Sequence, residues 1–170
     1  MENYQLVKHA TSLAKSKKYD YAIQLLSELY KSNEVSDAEI IKVIPYYQKA
    51  GRYNELEQYF EEILIPLIRN INERNFSHKC KEIQYAFISV SIHKIYNKLE
   101  LCAKRENKED DKSKFSSKAI LYYQLYRDNL VKGKKIELEL GYTEARSIWG
   151  GDHSKWPDSL KRRFSQYIPN

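Results

Sequence analysis

A period constrains this chain more than any other feature. The stretch "KKYDYAIQLLSELY" (residues 17–30) returns as "GRYNELEQYFEEIL" (51–64), 34 residues later. The register extends in both directions: Leu6 matches Ile40, Leu13 matches Tyr47, Tyr19 matches Tyr53, Ala22 matches Leu56, Leu26 matches Phe60 and Leu29 matches Ile63. Self-similarity at such a spacing marks stacked supersecondary units, none of which can bury its apolar face alone. Within a unit the apolar residues keep helical spacing. Leu6, Ala10 and Leu13 predict a first helix, and Ala22, Leu25, Leu26 and Leu29 a second. Asn3 and Asp37 stand where first helices need caps, Ser36-x-x-Glu39 reads as a capping box, and Lys17-Lys18 and Gly51-Arg52 mark the turns.

A 34-residue helix–turn–helix unit with a small residue on its first helix (Ala10), an aromatic after the turn (Tyr19) and Ala early in its second helix (Ala22) resembles the tetratricopeptide repeat. The second unit carries Ile44 and Leu56 at the small positions, while Gly51 and Tyr53 fit the turn. A third unit is suggested by "SSKAILYYQLYRDNL" (116–130), with Ala119, Tyr123 and Tyr126 placed like Ala22, Leu26 and Leu29. Its partner helix would cover 81–106 and bury Ile88, Ile92, Ile95, Leu99 and Cys102, followed by a charged loop over 104–114. The resemblance covers 3–64 well and 79–131 loosely. It implies an all-α fold of antiparallel helical hairpins, about three of them, stacked as a short array over residues 1–131. A C-terminal segment, 132–170, is expected to cap the array with a final helix begun at Pro157, with Leu160, Phe164, Tyr167 and Ile168 facing inward.

Two prolines interrupt this pattern. The stripe Tyr53, Leu56, Phe60, Ile63, Leu67, Ile71 runs through Pro66, which predicts one long helix kinked there, and Pro45 should bend "AEIIKVIPYYQKA". "KKIELEL" in the tail is read as helix or coil. Five glycines and four prolines in 170 residues are too few for a turn-rich sheet protein.

Charge and motif content narrow the function. No basic leader with an apolar run opens the sequence and no stretch approaches about 20 apolar residues, so no membrane role and a cytoplasmic setting are expected. Cys80 and Cys102 have no zinc spacing and fit a reduced compartment. His9, His78, His93 and His153 show no metal pattern, and there is no phosphate-binding loop or HExxH; no cofactor, metal or catalytic residue is expected. His9 and His93 lie among apolar residues and read as core or boundary histidines. "WGGDHSKW" (149–156) crowds Asp, His and Ser together, but a turn anchored by its two tryptophans accounts for it.

The resemblance implies instead a protein–protein interaction module or scaffold, in which first helices line a concave groove for a peptide or partner helix. At matching positions that groove holds Tyr4, Val7, Thr11 and Lys15 from one unit and Ile41, Lys42, Gln48 and Lys49 from the next. Lys8/Lys42 and Lys15/Lys49 are pairs 34 apart, so basic rows repeat and an acidic partner is implied. Val7, Thr11 and Pro45 stand where a grip on a terminal carboxylate would need other polar groups, so that ligand is not implied. A dedicated chaperone or immunity-type protein that sequesters one partner is an alternative within the same class. Nucleic acid is a further alternative. The net charge of +6 divides into −1 over residues 1–74 and +7 over 75–170, where Lys132, Lys134, Lys135, Lys161, Arg162 and Arg163 could meet phosphates.

Overall fold

In the computed structural model, which describes residues 3–32 and 34–168, the described residues form helices and no strand. The first period is a hairpin of α1 (Asn3–Lys15) and α2 (Tyr19–Tyr30). Ala10 of α1 and Ala22 of α2 are both buried in the core. The second period comprises α3 (Asp37–Ile40), α4 (Val43–Lys49), α5 (Leu56–Tyr59) and α6 (Ile65–Asn75). Two long helices follow, α7 (Lys81–Arg105) and α8 (Glu109–Trp149), and a short α9 (Asp158–Arg163) lies in the tail.

Three hairpin turns share one design. Leu13 O accepts the Lys18 N–H at 2.9 Å, Tyr47 O that of Arg52 at 2.9 Å, and Ala103 O that of Lys108 at 2.9 Å. The residue before each donor takes a left-handed conformation: Lys17 (φ 60°), Gly51 (φ 76°) and Asn107 (φ 55°). This is the 6→1 closure that satisfies orphan carbonyls at a helix end. Lys17 and Gly51 are 34 apart, so the period is repeated in backbone geometry as well as in side chains. The charged loop expected over 104–114 shrinks to residues 106–108, because α7 runs on to Arg105 and Glu109, Asp110 and Asp111 occupy the first turn of α8. Acids there suit the helix dipole, so dense charge does not interrupt the helix.

The helical run continues through Pro66 as expected, by way of a π-helical turn, whereas Pro45 is accommodated differently from expectation. Pro45 is the third residue of α4, where its missing N–H had no helical partner to lose, and the helix breaks before it at Ile41 and Lys42 rather than bending. Ahead of Pro66 the chain widens into a π-helical turn, Phe60–Leu64, closed by Ile65 N–H on Phe60 O. That turn keeps the proline ring clear of the preceding carbonyl and adds one residue to the helix. The inward face therefore shifts by one: Ile63, matched to buried Leu29, is 43% exposed, and Leu64 is buried instead. After the turn, Leu67, Ile68 and Ile71 continue the buried face.

The α7–α8 hairpin supplies much of the remaining core. Ile88, Ile92, Ile95, Leu99 and Cys102 are all buried along α7, as their spacing predicts. On α8 the inward residues are Phe115, Ala119 and, half-buried, Tyr122. Tyr123 corrects the expected match to Leu26: it is 46% exposed, with its ring beside those of His93 and Tyr126, because α8 presents the neighbouring Tyr122 to Tyr96. Gly133 marks the closest approach, since a Cβ there would fall 2.9 Å from the Ile83 backbone nitrogen. Glu137, one turn on, accepts the Cys80 N–H at the start of α7 and pairs with Lys79 at 3.1 Å.

Beyond this point α8 continues without α7 beside it. The tail folds back onto that extension, forming a second apolar cluster of Ala145, Trp156 and Phe164 flanked by Leu138, Tyr142, Leu160, Tyr167 and Ile168. The inward residues of the tail are those expected, but their partner is not. They cover α8 itself, and Ile120, Leu121 and Tyr123 of α8 stay exposed rather than being capped. Residue 132, where the tail was expected to begin, lies inside α8.

Candidate functional site

Helix α1 has no acidic residue and presents one polar stripe at helical spacing: Tyr4, Lys8, Thr11 and Lys15. These four, with Ser12, Val7 and Lys42, line a surface groove of about 390 Å³. Val7 is 6% exposed and forms its floor, while Tyr4 stands at the mouth, 71% exposed. The Thr11 hydroxyl donates to Val7 O at 2.8 Å, within its own helix. Lys42 enters from the break between α3 and α4. Of the eight residues expected in a groove, the structure gathers Tyr4, Val7, Thr11, Lys15 and Lys42 around one depression.

The other three lie apart from that lining. Ile41 is half-buried and packs on the core. Gln48 donates through Nε2 to Glu106 Oε1 at 2.9 Å, tying α4 to the end of α7. Lys49 places its ammonium 5.9 Å from the centre of the Tyr19 ring. Lys8 and Ser12 complete the groove, and the Tyr4–Lys8–Lys15 stripe is the sequence signal that contained Lys8.

The electrostatics of the groove are one-sided. Among the described residues eleven ion pairs form, and none uses Lys8, Lys15, Lys42 or Lys49. The two acids that precede Lys42 are both engaged: Glu39 Oε2 accepts from the Ser36 N–H at 2.7 Å and Oγ at 2.8 Å, and Asp37 pairs with Lys94 of α7 at 2.9 Å and accepts from Ser91 Oγ at 2.8 Å. Cations whose local acids are engaged elsewhere leave a positive field over an apolar floor.

The C-terminal basic residues sit in a different setting. Lys132 faces Glu82 at 3.8 Å, Lys135 faces Glu139 at 4.0 Å and Lys161 faces Asp158 at 3.5 Å. Arg162 Nε donates to Asp158 O at 3.4 Å, and the Arg163 guanidinium lies 5.1 Å from the centre of the Phe164 ring. Lys134 is exposed on α8.

Residues that resemble reactive groups are engaged structurally. In 149–156, Asp152 Oδ1 accepts from Ser154 Oγ at 2.6 Å and from its N–H at 3.2 Å, while His153 Nε2 meets Tyr142 Oη at 3.1 Å. Asp, His and Ser are thus adjacent without forming a relay. Trp156 anchors the turn, donating through Nε1 to Gly150 O at 3.0 Å, whereas Trp149 is 46% exposed and does not. Burial pushes the Cys102 thiol up to about 11, away from the thiolate a nucleophile needs. His93 is held at both ring nitrogens: Nδ1 donates to Ala119 O at 2.8 Å, because a carbonyl only accepts, and Nε2 lies 3.0 Å from the Asn97 side-chain amide. His9, expected at an apolar boundary, is exposed and lines a second groove of about 440 Å³ with Leu13, Lys18, Tyr21, Gln24, Leu25 and Glu28. Lys18 and Glu28 give that groove both signs of charge. Among the described residues no group of His, Cys, Asp and Glu could hold a metal, and no helix is long and apolar enough to cross a membrane.

No protein-family model matches the chain, nor does any curated protein or solved structure.

Proposed function

We propose that this chain is a tetratricopeptide-like interaction module without a reaction of its own, holding an acidic segment of another protein against α1 and the α3–α4 break. One observation carries this reading: the outward stripe of α1 and Lys42 converge on a single groove whose three lysines have no acid partner among the described residues. Val7 and Tyr4 supply apolar contact, and Lys8, Lys15 and Lys42 supply charge that favours and orients an anionic partner. Fixed cations that already lack in-chain partners lose no ion pair when such a partner arrives.

The test compares wild-type protein with a Lys8→Glu/Lys15→Glu/Lys42→Glu variant as bait, followed by titration of the recovered partner. Exposed pairs contribute about 0.2–1 kcal/mol each, so three reversals should weaken binding by about tenfold or more, and added salt should weaken the wild type. Circular dichroism of the variant should be unchanged, because all three side chains lie outside the core. Equal affinity of wild type and variant for the same partner removes the groove from the mechanism.

A further inference from the structure

The first hairpin has an inner and an outer side. Helix α2 packs on α4, and its Ala22, Leu26 and Leu29 are buried. On the outer side Leu13 and Leu25 are only half-buried, and Tyr21 is 66% exposed. The terminal unit of a helical stack needs a polar outer face to stay soluble. This one instead presents the groove of about 440 Å³ that Leu13, Tyr21 and Leu25 line together with Lys18 and Glu28. Lys18 stands at the N-cap of α2 and Glu28 in its last turn, so the apolar stretch has a cation at one end and an anion at the other. No residue lines both this surface and the groove of Tyr4, Lys8 and Lys15.

We infer that this outer face binds a second copy of the same chain, forming a two-fold dimer through antiparallel α2 helices. The intervals between Lys18, Tyr21, Leu25 and Glu28 are three, four and three, so the pattern reads the same in both directions while its charge reverses. Antiparallel pairing in that register sets Lys18 against the partner's Glu28 and Tyr21 against the partner's Leu25. The spacing matches by symmetry, because Lys18 and Glu28 are equally far apart in both copies, and the register that makes one ion pair makes the other. Gln24 falls beside the two-fold axis, where an amide that both donates and accepts pairs with its own copy. A parallel arrangement would oppose Lys18 to Lys18 and Glu28 to Glu28, and is repelled. Lys18 enters no ion pair with a described residue. Glu28 holds Lys31 at 2.8 Å in an exposed pair, and its carboxylate keeps lone pairs for a second ammonium. Seven lining residues a side fall below the roughly 20–30 of a standard interface, so the dimer dissociates on dilution.

The test is sedimentation velocity of the full chain at low salt over a concentration series, which should show a monomer–dimer equilibrium. Lys18→Glu and Glu28→Lys should each weaken it by about tenfold or more, because each turns two attractions into two repulsions. Mixing those two variants in equal amounts should restore dimers, since every contact between positions 18 and 28 then joins opposite charges again. Tyr21→Ala should also weaken the wild-type dimer while leaving helical dichroism unchanged, because its ring lies outside the core. A wild-type chain that stays monomeric at every concentration overturns the inference. So does a mixture of the two charge variants that associates no better than either alone. Single variants that dimerise as tightly as wild type overturn the antiparallel register and the inference with it.

Discussion

Tyr30, Tyr47, Tyr53, Tyr59 and Tyr96 lie wholly or partly inside the molecule, and their phenols resist ionisation because burial penalises the phenolate. Tyr30 Oη donates to Ile40 O at 2.9 Å, and Tyr53 Oη donates to Asp111 Oδ2 at 2.8 Å, so two of these phenols join separate helices through protons they must keep. Tyr59 and Tyr96 are both pushed up to about 12, and Cys102 to about 11. In the unfolded chain phenols titrate near 10. Raised values in the folded state mean that the folded chain binds more protons than the unfolded one above that point. The stabilisation is complete below about pH 10 and is lost as pH rises towards 12. An alkaline titration should show helical dichroism and tyrosinate absorbance changing together in this window. Free titration of all phenols near 10 with the helices intact would contradict the burial described for Tyr30 and Tyr53.

At the level of the element, the hairpin turns offer the sharpest comparison, because the same left-handed position is filled by Lys17, Gly51 and Asn107. Glycine has no Cβ penalty there, whereas a lysine pays one of roughly 1 kcal/mol. Lys17→Gly should therefore stabilise the protein by about 0.5–1 kcal/mol, and Gly51→Ala should destabilise it by about 1 kcal/mol, both read as denaturant midpoints. Space does not decide the second change, since a Cβ at Gly51 meets nothing within 4 Å. If both substitutions shift the midpoint in the same direction, backbone conformation is not what distinguishes these turns. These turns were legible in sequence at Lys17-Lys18 and Gly51-Arg52, where the period repeats. The third was not, because Asn107 lies inside a run of charges that looks like a loop, and it follows Gly51 by 56 residues rather than 34. The π-helical turn was equally hidden. Pro66 announced a disturbance, but whether a helix kinks, breaks or gains a residue depends on which side chain, Ile63 or Leu64, its neighbours can bury.

Across the whole molecule, apolar burial divides into two bodies joined by one helix. The larger cluster runs from Val7 on α1 to Ala119 on α8, and the smaller consists of Ala145, Trp156 and Phe164 with their flanking residues. The inward face of the tail could be read from Leu160, Phe164 and Tyr167, since it depends on local spacing. Its docking place could not, because that depends on how far α8 outruns α7, which begins at Lys81 beside Gly133 while α8 runs on to Trp149. The groove was legible where residues share a face: Tyr4, Thr11 and Lys15 lie on one side of α1 and the period brings Lys42 to them, whereas Gln48 and Lys49, drawn from the same period, are engaged at Glu106 and the Tyr19 ring instead. With only the smaller cluster covering it, the end of α8 should stand or fall with the tail. Trp156→Ala removes a side chain that is 2% exposed and the Nε1 bond to Gly150 O, an expected local cost of about 3–5 kcal/mol. Amide hydrogen exchange should then accelerate from about Leu138 to Tyr167, while α1, α2 and the Ile88–Leu99 stretch of α7 keep the protection of the larger core. Faster exchange spreading equally into α1 and α2 would show that the two clusters unfold as one, and that the tail stabilises the stack after all.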